Sequence, residues 1–137
     1  MKSSKWMIAV AVVGLVMPAL AQTGTIQASL PFAFTVGQQM LPAGDYRVIV
    51  DNNGLRVAPM DGQGIQCGSF SYIGAEPSQD VSPKLIFHRY GIRYFLAEVW
   101  TGDAKRGEKL MRSKTEREYA RAAKAEYTTV AATRIPN

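Results

Sequence analysis

The sequence predicts a mainly β domain, an antiparallel β-sandwich or flattened barrel with one short helix near the C-terminus. Three observations predict it. Short stretches of alternating apolar and polar residues recur between Thr25 and Thr101, each closed by Gly, Pro or Asn. No helical pattern separates those stretches, as an α/β fold requires. From Gly107 the Gly and Pro punctuation stops until Pro136, and a helix-forming run takes its place. Seven to nine strands are expected.

The chain opens with Lys2 and Lys5, then runs without a charge from Trp6 to Ala21. That run of 16 residues is shorter than the roughly 20 a spanning helix needs. Pro18 ends it, and Ala19-Leu20-Ala21 offers the small-x-small pattern a signal peptidase accepts. We therefore expect a signal peptide over 1–21 and a single β-rich globular domain over 22–137, secreted or periplasmic, with no transmembrane segment after cleavage. Loss of Lys2 and Lys5 leaves 14 basic against 11 acidic residues, a charge of about +3 in place of +5. The bases are dispersed among acids, which argues against nucleic acid as a partner.

Within the domain, Thr25 to Val36 reads as extended chain interrupted at Pro31. Gly44 to Asp51 alternates Tyr46, Val48 and Val50 against Asp45, Arg47 and Ile49, and Asn52-Asn53-Gly54 turns it into Leu55 to Met60. Ile65 to Ile73 makes another strand. Lys84 to Tyr90 and Arg93 to Thr101 form a hairpin through Gly91-Ile92, where a first-position Gly suits a type II′ turn. An unbroken register places Ile86, His88, Tyr90, Arg93, Phe95 and Val99 on one face. Leu85, Phe87, Arg89, Tyr94, Leu96, Glu98 and Trp100 then share the other, with Glu98 matched to Arg89. Phe87, Phe95 and Leu96 are expected to be buried, and Arg93 to sit at the turn with little weight in stability. Ser113-Lys114-Thr115-Glu116 fits a capping box in which the Glu116 side chain reaches back to the cap. A helix from Thr115 to Ala125 follows, docked by Tyr119, and Tyr127 to Thr133 closes the fold as a strand.

Chemistry is sparse. One cysteine and one histidine exclude an internal disulfide framework and a closed zinc site. No cofactor or metal is expected, and no catalytic residue is assigned. Cys67 reads as a small buried or unpaired residue, with pairing to another chain the lesser option. The constellation above background is aromatic and arginine density on the hairpin: His88, Arg89, Tyr90, Arg93, Tyr94, Glu98 and Trp100. Such residues recur at binding hot spots, and equally make the core of a sheet with arginine stems lying over it.

Pro31-Phe32-x-Phe34-x-Val36-Gly37 and Leu41-Pro42-Ala43-Gly44-Asp45-Tyr46-Arg47-Val48 resemble segments of small secreted proteins abundant in acidobacteria. Segments like Phe87-His88-Arg89-Tyr90-Gly91, Arg93-Tyr94-Phe95-Leu96 and the charged Ser113–Glu118 element extend the resemblance over most of the domain, with Ile92 standing where a polar turn residue is expected. The resemblance implies an exported bacterial domain and no particular activity. Two function classes stay open. One is an exported non-catalytic envelope or extracellular module binding a glycan, lipid or protein partner. The other is a small secreted hydrolase using Glu98 with a second carboxylate or His88.

Overall fold

A computed structural model describes residues 24–51, 54–66, 70–76, 79–102 and 106–135. The expected signal peptide, the expected Asn52-Asn53 turn and Cys67 lie outside the described residues. Twelve strands and one helix make up the rest. The strands are β1 (Gly24–Leu30), β2 (Phe34–Val36), β3 (Gln39–Leu41), β4 (Gly44–Asp51), β5 (Gly54–Pro59), β6 (Ile65–Gln66) and β7 (Phe70–Gly74). Then come β8 (Lys84–Tyr90), β9 (Arg93–Trp100), β10 (Arg106–Leu110), helix α1 (Lys114–Ala122), β11 (Glu126–Ala131) and β12 (Thr133–Ile135).

The count exceeds the expected seven to nine because several stretches are split. Pro31, with no N–H to donate, separates β1 from β2. The Ile65–Ile73 stretch divides into β6 and β7, and the final one into β11 and β12. Two strands, β3 and β10, are additional.

The strands form two sheets. One has the order β12-β1-β4-β5-β6, the other β11-β8-β9-β10-β7. In the second, β2 runs parallel beside the first half of β9, matching Thr35 with Phe95, and carries β3 as a hairpin. The chain passes between the sheets at both margins, from β6 to β7 and, through Ala132, from β11 to β12. The Ala132 amide secures the second crossing by donating to the Pro83 carbonyl at 3.0 Å. The sandwich therefore has some of the character of a flattened barrel.

Alternation along each strand explains the core. Ile26, Val48, Leu55 and Val57 from one sheet meet Phe34, Val36, Leu85, Phe87 and Val99 from the other, all buried. Phe34 joins the layers by meeting Tyr46 and Phe87 edge-on, with centroids 5.1 and 5.6 Å away. The Leu41–Tyr46 motif is a corner that locks β4 in place: the Tyr46 hydroxyl donates to the Pro42 carbonyl at 2.5 Å, while Ser29 Oγ donates to Asp45 at 2.6 Å. Burial holds the Tyr46 phenol above its ordinary pKa.

The β8–β9 hairpin follows the expected pairing from its turn to Phe87↔Leu96. Gly91 has φ +65°, whereas no non-glycine residue among those described has positive φ, the signature of a type II′ turn. Beyond Leu96 the expected faces are wrong. The ladder slips between Ile86 and Phe87, so that Ile86 pairs with Glu98 and Leu85 with Val99, leaving Ala97 as the extra residue of a bulge. Val99 consequently enters the core, and Glu98 and Trp100 move to the outer face that carries His88 and Tyr90. Gly107 on β10 makes room for Trp100 there, since a Cβ at that position would lie 2.6 Å from the indole.

Candidate functional site

The outer face of the β8–β9 hairpin is where polar side chains are buried together. His88, Tyr90 and Phe95 point away from the core, and α1 lies across them. Its Tyr119 ring packs on Tyr90 and Phe95 with centroids 6.1 and 5.7 Å away, as expected of the helix anchor. Arg93 donates to the Tyr119 hydroxyl at 2.6 Å and lies over the ring at 5.0 Å. Its guanidinium is a clamp between hairpin and helix, which corrects the expectation of a turn residue with little weight.

Glu116 completes this contact. Ser113 caps the helix as expected, its hydroxyl accepting from the Glu116 amide at 3.1 Å. The other half of the predicted capping box is absent, because the Glu116 side chain turns to the sheet. Its Oε2 lies 2.7 Å from His88 Nδ1 and accepts from the Tyr90 hydroxyl at 2.8 Å. Arg112 Nε stands 3.5 Å from the same oxygen. A carboxylate only accepts, so His88 carries its proton on Nδ1. Glu116, His88 and Tyr90 are 3, 6 and 5% exposed, which makes this a buried polar knot. Burial first, then the bond to Glu116, pushes the Tyr90 phenol up to about 12.

Two clefts flank the segment from Leu110 to Ser113. The larger, about 430 Å³, is lined by Ser71, His88, Glu98, Lys109, Arg112 and Tyr127, among others. The smaller, about 330 Å³, lies at the start of α1, between Thr35 and Gly37 on one side and Ser113, Lys114 and Glu116 on the other. Leu110, Met111, Arg112 and Arg117 border both. Tyr127 is 67% exposed, its ring 5.0 Å from that of His88.

The seven residues singled out on the hairpin do not form one exposed patch. His88 and Glu98 reach the larger cleft. Tyr90 and Arg93 lie under α1, and Trp100 is buried, its indole donating to Glu98 Oε1 at 3.0 Å. Arg89 and Tyr94 fall on the opposite face: Arg89 pairs with Glu126 of β11, and Tyr94 stacks on Phe32 at 3.7 Å. The expected Arg89–Glu98 pair is therefore replaced on both sides, a consequence of the bulge. Glu126 raises the Arg89 pKa by accepting its hydrogen bond.

Ser71, Lys109, Glu98 and Ile86 occupy one row across four strands. Three strand spacings put the β7 backbone roughly 14 Å from β8, so Ser71 is outside hydrogen-bond reach of His88. Among the described residues no three His, Cys, Asp or Glu side chains gather to hold a metal, and no helix is long and apolar enough to cross a membrane. Glu116 and the cleft residues Ser71, Lys109, Arg112, Arg117 and Tyr127 escaped sequence reasoning. For Glu116 the signal was present but read as a helix cap. No protein-family model, curated protein or solved structure matches the chain.

Proposed function

We propose that the chain is an exported, non-catalytic envelope or extracellular module that binds a glycan in the larger cleft. The observation that carries this reading is the exposed Tyr127 ring standing at a cleft bordered by Lys109, Arg112 and Arg117. A ring face offers the flat apolar surface on which a sugar stacks, and the guanidinium forks, Ser71 and Glu98 offer directed donors and acceptors to its hydroxyls. Export rests on the Lys2–Ala21 leader pattern. The test is expression of the full chain in a bacterium, intact mass of the product recovered from outside the cytoplasm, and a glycan array probed with that product. A mass starting at Gln22 and a glycan hit lost in Tyr127→Ala support the reading. Cytoplasmic retention refutes export, and an array hit unaffected by Tyr127→Ala refutes the site.

One observation favours a second reading, a small hydrolase: Glu98 and His88 border the same cleft, and Glu116 orients the imidazole as a carboxylate orients a catalytic base. Against it, the Ser71 hydroxyl is too distant to serve as the nucleophile, and Glu98 already accepts from Trp100. Release of product from ester or glycoside substrates, abolished by both Glu98→Gln and His88→Gln, would establish it.

A further inference from the structure

The smaller cleft is built from different parts, and they share one preference. It opens at the first turn of α1, a nine-residue helix. The Ser113 carbonyl and hydroxyl take the Arg117 and Glu116 amides. The Lys114 and Thr115 amides keep no acceptor among the described residues, and the helix dipole makes that end favourable to negative charge. Arg112, Lys114 and Arg117 border the cleft. The one carboxylate there, Glu116, already holds His88 and Tyr90.

An independent observation comes from the opposite wall. Thr35, on β2, is 4% exposed and lines the cleft, and its Oγ1 has no hydrogen-bond partner. Its neighbours Phe34 and Val36 point into the core, so Thr35 projects to the cleft side of the sheet. Buried hydroxyls almost always find partners. An orphan hydroxyl on a residue lining a cleft with a cationic helix start is short of an acceptor.

We infer that this cleft is a subsite for an oxyanion, a carboxylate or phosphate group, and that it makes the glycan ligand proposed above an acidic one. The inference rests on that reading for the identity of the ligand, but the subsite itself does not. Arg112 and Arg117 border both clefts. A sugar stacked on Tyr127 in the larger cleft and a charged group held at the start of α1 would therefore lie on either side of the same two arginines. Arginine supplies the forked donors that fit a carboxylate or phosphate.

The test is titration of the exported protein with inorganic phosphate, galacturonate and neutral galactose, followed by amide NMR, with sodium chloride at matched ionic strength as control. Phosphate or galacturonate should move the Lys114 and Thr115 amides at millimolar concentration, while galactose and chloride leave them in place. Which of the two oxyanions binds more tightly identifies the source of the charged group. Thr35→Val, which removes the hydroxyl and keeps the β-branched shape, and Arg117→Gln should each weaken the effect about tenfold. Absence of movement, an equal response to chloride, or unchanged affinity in both variants overturns the subsite. If a neutral glycan binds at Tyr127 with no contribution from Thr35 or Arg117, the inference falls and the proposed function stands. If oxyanions bind but no glycan does, the subsite stands and the glycan reading falls.

Discussion

Replacing Glu116 with alanine removes the acceptor on which the contact between helix and sheet depends. His88 and Tyr90 would keep their buried donors with nothing to receive them. Breaking one side of a buried charged network costs about 3–5 kcal/mol, a large share of the roughly 5–15 kcal/mol that holds a domain folded. Glu116→Gln keeps an acceptor and the shape, and should cost about 1–2 kcal/mol. Urea unfolding followed by Trp100 fluorescence measures both. Tyr90→Phe in each background then gives the coupling energy, which should be clearly non-additive for groups sharing one oxygen. Burial of Tyr90, and after it the bond to Glu116, also has an alkaline signature. The Tyr90 pKa is raised to about 12 in the folded chain against about 10 unfolded. Its contribution is thus fully present below pH ~10 and lost as pH rises through ~12, about 2–3 kcal/mol in all. Phenolate absorbance should show a late-titrating component that Tyr90→Phe removes, and Glu116→Ala should bring it part of the way down. A Glu116→Ala protein within about 0.5 kcal/mol of the parent would refute the claim that the knot holds α1 to the sheet.

Further outcomes can be checked on the same protein. Phe87→Ala, at a side chain with 0% exposure, should cost about 3–5 kcal/mol in chemical denaturation. Arg93→Ala should cost about 1–2 kcal/mol through loss of the Tyr119 bond and ring contact, and should loosen α1 in hydrogen exchange before the rest of the domain. Glu108 is buried, with no hydrogen bond to its carboxylate among the described residues, and desolvation raises its pKa despite Arg106. The folded state then holds its proton more tightly than the unfolded one, so stability falls as pH rises from the ordinary carboxylate range through the raised value. Glu108→Gln should raise the melting temperature at neutral pH and make it less dependent on acid.

Much of the strand pattern could be read from residues because alternation and turn chemistry act locally. Gly44 to Asp51, the pairing from Tyr90↔Arg93 to Phe87↔Leu96 and the Ser113 cap all depend on neighbours within a few positions. What could not be read depends on distant partners. Arg106–Leu110 is a strand because β9 and β7 pair with its two sides, not because its charged sequence alternates. The Glu116 carboxylate leaves its cap because two buried donors on another element require an acceptor. Lys109, Arg112, Arg117 and Tyr127 lie on three different stretches of chain, and only the sheet order and the path into α1 bring them to one cleft.

The extra residue at Ala97 divides β9 into two halves that obey opposite phases. Up to Leu96, even positions belong to the core; from Glu98 on, odd ones do. Pairing Ala97 into an unbroken ladder would turn Glu98 and Trp100 inward and expel Val99, whereas deleting it would bring Glu98 directly after Leu96 and leave all three on their present faces. The bulge is thus as much a part of the site as any side chain in it, because with Ala97 present it decides whether the larger cleft has a carboxylate on its wall.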